Sequence, residues 1–327
     1  MKRLTSALII ASALSATAFG VQARTFKLAT NVPADGAPGQ MLQEFADNVK
    51  AKTDGRVEFR IFWNGTLGGQ EQYIQQVQSG VIDAGLINSG TLENLVPEVG
   101  VLNLPYMFRS TTEYETTLLN PEVQKVIQAA AEDKKLNMLG FLNNGFRNIY
   151  TTKEVKTVED LQGLKIRTVP SETYIKTFRA FGAVATPMDF SEIYPALQQG
   201  LIDGAEGGLG ALWELKFGEV TKFGLRSEHT RLTDFVLTSP KFVQRVGDDY
   251  PTVQKEFEKI SSKSVEFIES MIADSEKKAE QNMGVKINTI DKDVLIERIQ
   301  PIYKETAQNP AKKPLLETIL KVQNRSL

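Results

Sequence analysis

Cysteine is absent from the 327 residues, and histidine occurs once, at His229. The first absence excludes disulfides, thiolate catalysis and cysteine-ligated metals. The second removes histidine clusters, so no metal centre is expected. It also leaves a nucleophilic triad with a single candidate base and no serine in a Gly-x-Ser-x-Gly elbow. His229 is therefore expected at the surface or at a cleft edge, not as a general base. An excess of one charge is also lacking. Lys and Arg total 38 against 40 Asp and Glu, for a formal charge of −2, so the broad basic face that nucleic acid requires is missing. A phosphate-cradling loop is absent too: Gly207-Gly208-Leu209-Gly210 has neither the lysine of a P-loop nor the spacing of a dinucleotide fingerprint. Beyond the N-terminus no apolar run reaches the about 20 residues needed to span a bilayer. No internal repeat, heptad seam or low-complexity tract occurs.

What is present is an ordinary globular composition, 41% apolar and 24% charged, at a length that suits two domains. The N-terminus has its own character. Lys2-Arg3 precede a weakly apolar stretch over 4–19, and Val21-Gln22-Ala23 offers small residues for cleavage. Residues 1–23 are expected to be a cleaved export signal, with the mature chain starting at Arg24 in the periplasm and no stable membrane insertion.

Along the rest of the chain the spacing predicts a strand over 25–30, an amphipathic helix over 38–53 and an alternating strand at Val57, Phe59 and Ile61. A turn over 65–69, a helix over 70–79 and a strand over 81–87 follow, an order that implies a parallel sheet with right-handed crossovers. Residues 91–110 read as irregular. A helix near 122–134 leads to a strand over 136–141, and Asn143-Asn144-Gly145 reads as a hinge before a new strand at Arg147. A second α/β series occupies 158–215, and 222–227 and 232–239 read as two strands. From Asp248 a long helix runs towards Gln281, and two more helices occupy about 292–306 and 314–322.

The chemistry concentrates between Leu164 and Gly207. There Leu164-Lys165-Ile166 delivers Arg167 to a turn restricted by Pro170, and Arg147 likewise interrupts an apolar pattern. Guanidinium groups pair bidentately with carboxylates and fix their orientation. Both arginines are candidate anion ligands, with solvated strand ends as the alternative. Asp203 and Glu206 are the one pair of carboxylates close enough in sequence to consider for a hydrolase.

Six blocks then resemble one family in register. They are Gly65-Thr66-Leu67-Gly68-Gly69, Leu104-Pro105-Tyr106-Met107-Phe108, Asn144-Gly145-Phe146-Arg147, Leu161-Gln162-Gly163-Leu164-Lys165-Ile166-Arg167, Thr186-Pro187-Met188-Asp189-Phe190-Ser191-Glu192-Ile193-Tyr194, and Ile202-Asp203-Gly204-Ala205-Glu206. The chain resembles the DctP-type substrate-binding proteins of tripartite ATP-independent periplasmic (TRAP) transporters. The resemblance implies an α/β, two-lobed periplasmic binding protein fold with crossing hinge strands and a long helix spanning both lobes. Lobe I would be 24–144 plus about 233–272, and lobe II 145–232 plus about 273–327. It implies a receptor that performs no catalysis, holds no cofactor, captures a small organic acid and delivers it to a TRAP membrane permease. Arg167 would form the main salt bridge to the ligand carboxylate, with help from Arg147. Phe190 would line the cleft, Glu206 and Gly207 would join the ligand site, and Asn31, Gln70, Asn88 and Ser89 would supply contacts from the first lobe. Two departures bear on the ligand. Gly207 stands where the family often has asparagine after Glu206, which is expected to enlarge the cleft. Asp189 replaces a small residue and is expected to reach a hydroxyl or ammonium if it faces the ligand. The alternatives are a receptor for an ATP-driven importer and a periplasmic hydrolase using Asp203 and Glu206.

Overall fold

The computed structural model describes residues 23–326, so the expected export signal, apart from its last residue, lies outside the described residues. The first elements are β1 (Arg24–Ala29), α1 (Ala37–Lys52), β2 (Val57–Phe62), α2 (Gln70–Ser79) and β3 (Ala84–Asn88). After α3 (Ser89–Glu93), a 3-10 segment (Pro97–Asn103), α4 (Thr111–Leu118) and α5 (Pro121–Glu132), the chain enters β4 (Asn137–Thr151). The second series comprises β5 (Lys165–Thr168), α6 (Glu172–Ala180), β6 (Val184–Pro187), α7 (Ile193–Gln198), β7 (Gly204–Gly207), α8 (Ala211–Glu214) and α9 (Phe217–Val220). The chain closes with β8 (Phe223–Thr238), α10 (Pro240–Val246), α11 (Tyr250–Met283), β9 (Lys286–Thr289), α12 (Lys292–Arg298), α13 (Gln300–Gln308) and α14 (Lys313–Val322).

The strands hydrogen-bond in the order β2-β1-β3-β8-β4-β7-β5-β6, with β9 on β8. At one end β1 pairs in parallel with β2 and β3. At the other, β5 pairs in parallel with β6 and β7. The two groups are the sheets of two lobes, joined by the long antiparallel strands β4 and β8, which run through both. Sequence reading broke each of these into two. Asn143-Asn144-Gly145 looks like a hinge, yet it forms a bulge: Gly145 adopts φ +72° and the register on β8 shifts between Asn143 and Phe146. A bulge absorbs the extra residues and bends the strand without ending the ladder. In β8 the interruption is Glu228, at φ +43°.

The 34-residue helix α11 spans the molecule. Its Phe257 and Ile260 pack with Phe26, Phe45 and Phe242 in one core, while Ala279 joins Leu212 and Phe217 in another. Full burial of each such aromatic or aliphatic side chain contributes about 1.5–3 kcal/mol. Other expectations need amendment. The stretch read as irregular holds α3 and the 3-10 segment, whereas α4 and α10 were not anticipated. Residues 286–289 form an edge strand, and Ile299 divides the expected helix over 292–306. The last helix buries Leu315, Leu316 and Ile319 in one core with Val123 and Ile127 of α5. No described helix is long and apolar enough to cross a membrane.

Candidate ligand-binding cleft

Arg147 emerges from β4 just after the bulge, and Arg167 from β5 one residue before that strand ends. Both are buried, 4% and 2% exposed, and both reach Glu206 on β7, which is fully buried. The two arginines are held differently. Arg147 grips Glu206 bidentately: Nε donates to Oε2 at 2.5 Å and Nη2 to Oε1 at 2.8 Å. Arg167 donates from Nε and Nη2 to the Met188 carbonyl at 3.0 and 2.8 Å. Its Nη1 stands 3.5 Å from Glu206 Oε1 and has no hydrogen-bond acceptor among the described residues. An unmatched buried donor on a charged group costs free energy, and a ligand oxygen would relieve it.

Charge follows this geometry. Burial alone would lower the Arg147 guanidinium, but Glu206 outweighs it and holds Arg147 above its ordinary value. Arg167 is pushed below its ordinary value, chiefly by burial and further by neighbouring Arg147, with Glu206 opposing. Glu206 stays below the usual carboxylate range, because the arginines overcome its burial. Two cations sharing one anion leave a net positive charge at this end of the cleft.

The cleft above these groups encloses about 920 Å³, its open mouth included, and is lined by Arg147, Arg167, Tyr150, Phe190 and Gly207 on one side and by Asn31, Gln70, Asn88 and Asp234 on the other. The first-lobe amides interlock. Gln70 Nε2 donates to Asn31 Oδ1 at 3.1 Å, and Gln70 Oε1 accepts from the Asn88 backbone N–H at 3.0 Å and from Asn88 Nδ2 at 2.6 Å. Asn88 also caps α3, its Oδ1 accepting from the Thr91 N–H at 2.8 Å. Such mutual bonds fix side-chain orientation before a ligand arrives.

Three expected site residues stand elsewhere. Ser89 begins α3 and turns into the protein, where its hydroxyl donates to Asn103 Oδ1 at 2.5 Å. Asp189 is exposed at the rim and is not among the cleft-lining residues, its N–H bonded to Glu192 Oε2 at 3.0 Å and its carboxylate beside Gly69 of the first lobe. Glu206 lies beneath the arginines and positions them. Two further readings change. A Cβ on Gly207 would lie 3.1 Å from the Tyr150 hydroxyl, so the tyrosine, not open space, occupies the room left by the missing side chain. His229 is fully buried, not peripheral. Its Nδ1 is bonded to the Ser227 hydroxyl at 2.9 Å, and its Nε2 lies 3.9 Å from Glu206.

Sequence reading did not single out Tyr150, Asp234 or Glu214, all of which line the cleft. Tyr150 Oη is buried without a hydrogen-bond partner among the described residues. Asp234 Oδ2 accepts from Asn144 Nδ2 at 2.6 Å. The hydrolase alternative fails on geometry. Asp203 Oδ2 accepts from the Lys165 N–H at 2.9 Å, and Glu206 is locked by Arg147, so the pair presents no acid and base to a substrate.

Two buried groups here set opposing pH dependences. Burial pushes His229 down from 6.5 to about 4, with Glu206 opposing and Arg147 adding to the shift. Burial pushes Asp234 up from 3.8 to about 6 against Asn144 and Arg147. As pH falls from about 6.5 to about 4, the unfolded chain takes up a proton at His229 that the folded protein refuses, and stability is lost. As pH rises from about 3.8 to about 6, the unfolded chain releases a proton that folded Asp234 retains, and stability is again lost. Asp234→Asn is therefore expected to make the unfolding free energy climb more steeply between pH 4 and 6, and His229→Gln to do the reverse. Urea titrations across that range check both, and wild-type slopes in both variants would refute the pairing.

Residues 28–309 match the family of bacterial extracellular solute-binding proteins, family 7, DctP. The chain is 33% identical over 288 residues to the protein YiiZ of Salmonella typhimurium, covering 86% of this chain and 87% of that one. It is 31% identical over 230 residues to the 2,3-diketo-L-gulonate-binding periplasmic protein YiaO of Escherichia coli, 70% of each chain. A TRAP periplasmic solute-binding protein of Xanthobacter autotrophicus Py2, solved with bound β-D-galacturonate, superposes with a TM-score of 0.86 at 29% identity, over 92% of this chain and 100% of that one.

Proposed function

Because the chain belongs to the DctP family of bacterial extracellular solute-binding proteins, a family of TRAP receptors and not enzymes, we propose that it captures a sugar acid in the cleft and hands it to a TRAP membrane permease from the periplasm. The observation that carries this reading is the Arg167 Nη1, buried, charged and without an acceptor at the cleft. In this reading the ligand carboxylate takes that donor together with the Tyr150 hydroxyl, which does the work that an asparagine at 207 would do. Arg147 is committed to Glu206 and contributes charge and position. Phe190 covers a face of the ligand, and Asn31, Gln70 and Asn88 meet its hydroxyls. A charge-assisted hydrogen bond contributes about 1.5–3 kcal/mol, whereas micromolar binding needs about 8 kcal/mol. The carboxylate contacts therefore cannot suffice, and a ligand with hydroxyls for the opposite wall is favoured over a bare acid. Closure of the two lobes about β4 and β8 would exclude water and strengthen the ion pair. The TRAP relatives favour a permease over an ATP-driven importer.

The test is a thermal-shift screen with D-galacturonate, D-glucuronate and D-galactonate against succinate, N-acetylneuraminate and D-galactose, since a ligand that binds the folded form raises its stability by mass action. At least one sugar acid is expected to raise Tm and galactose, which lacks the carboxylate, to leave it unchanged. A shift with succinate alone would overturn the sugar-acid reading, and a shift with N-acetylneuraminate alone would move it from hexose-derived acids to the larger nonulosonic acids.

A further inference from the structure

Asp234 and Glu214 line the same cleft as the arginines, yet neither forms an ion pair with them, because Arg147 grips Glu206 and Arg167 holds the Met188 carbonyl. Asp234 lies on β8 with Asn88 of β3 and Leu142 of β4 as its Cα partners, in the middle of the first-lobe wall. It is 3% exposed, and Asn144 in the β4 bulge holds its Oδ2, which leaves Oδ1 without a donor among the described residues. Glu214, at the end of α8, takes the Ser275 hydroxyl of α11 at 2.8 Å. Burial raises its pKa, with nearby Asp35 adding to the rise.

The signs decide what fits. Arg147 and Arg167 against Glu206 leave one positive charge for an incoming anion, and the two further carboxylates leave none for a second. The amides of Asn31, Gln70 and Asn88 would by themselves tolerate a carboxylate, so Asp234 is what gives this wall its sign. An ionised carboxylate is an acceptor only. It welcomes a hydroxyl and repels another carboxylate held against it in a closed, poorly solvated cleft.

The geometry points to Asp234, assisted by Glu214, as the specificity-determining residue that restricts the cleft to acids with a single carboxylate, its free Oδ1 accepting a ligand hydroxyl and excluding a second carboxylate on the same skeleton. This rests on the sugar-acid reading above. It separates aldonates and uronates, which have one charged end, from the doubly oxidised aldarates, although the carbon chain and most hydroxyls are identical.

Calorimetric titrations at pH 8, where a carboxyl that titrates near 6 is ionised, test this on wild type, Asp234→Asn and Glu214→Gln. The ligands are D-galactonate, D-galacturonate and galactarate, and the corresponding gluco series. Wild type is expected to bind at least one monoacid and to bind its aldarate roughly 100-fold more weakly. Asp234→Asn keeps an oxygen for Asn144, so the fold is retained, and it should narrow that ratio about tenfold or more, with Glu214→Gln narrowing it less. An aldarate bound as tightly as its monoacid by wild type, or an unchanged ratio in Asp234→Asn, would overturn the inference and leave the sugar-acid reading intact. Failure of every sugar acid to bind would overturn both. The apo melting temperatures of the variants show whether any loss of binding is a loss of fold.

Discussion

Arg147→Met is expected to lower the unfolding free energy by about 3–5 kcal/mol, the usual consequence of leaving one member of a buried ion pair without its partner. The carboxylate of Glu206 is fully buried and takes two hydrogen bonds from the Arg147 side chain. Remove that guanidinium, and the carboxylate keeps only the Val169 N–H at 3.1 Å and the Arg167 Nη1 at 3.5 Å. Arg167 cannot turn further towards it without giving up the Met188 carbonyl. At roughly 2–4 °C per kcal/mol for a chain of a few hundred residues, the apo protein should melt on the order of 10 °C lower. The double variant Arg147→Met/Glu206→Gln replaces the stranded charge by an amide and should recover part of the loss, which a simple packing defect would not do. A single-variant cost below about 1 kcal/mol, the level of an exposed pair, would show that water reaches Glu206 and that the pair does not organise the cleft.

How much of this was legible beforehand depended on whether a residue's role is local. Arg167, Gln70 and Phe190 announce themselves because each stands where a strand or turn meets a helix, and a charge or ring in such a position points to a cleft; Arg147 does so because it follows Asn143-Asn144-Gly145 and interrupts an apolar pattern. The parallel β-α-β order at both ends was equally legible. The long strands β4 and β8 were not, because Asn143-Asn144-Gly145 and Glu228-His229 look like turns in isolation. Only the ladder between the two strands shows that the interruptions are a bulge and a kink. Asp234 hides for a different reason. A lone acid within Leu232-Thr233-Asp234-Phe235-Val236 reads as the solvated face of a strand, and its neighbour Asn88 is far away in sequence. Tyr150 hides within its own apolar run: its ring belongs to the core with Leu209 and Phe217, although the residue also lines the cleft. Ser89 illustrates the opposite case: it adjoins lining Asn88 in sequence, and a one-residue step at a helix start sends its side chain to Asn103.

Arg167→Lys is expected to weaken sugar-acid binding roughly 100-fold, the value of losing a strong charge-assisted hydrogen bond in a dry site. The positive charge survives this substitution, so the prediction rests on shape. Arg167 does two things at once: Nε and Nη2 anchor on the Met188 carbonyl, and Nη1, buried beside Glu206, is left without a hydrogen-bond acceptor among the described residues in a side chain that lines the cleft. A planar fork can hold an anchor and present a donor in a fixed direction; a single ammonium on a flexible stem must choose. If lysine stays with Met188 it withdraws from the ligand. If it turns to the ligand, the carbonyl that sets the start of the Phe190 turn loses its donors. Either way the loss should fall on affinity while the apo melting temperature moves little, the reverse of the pattern expected for Arg147→Met. Tyr150→Phe supplies the complementary measurement. It removes the second donor without touching the protein's charge and should cost about 10-fold or more, in line with a hydrogen bond to a charged acceptor. Calorimetric affinities for both variants within threefold of wild type would take the carboxylate away from this end of the cleft. A loss in Arg167→Lys alone would keep the arginine clamp and remove the tyrosine from it.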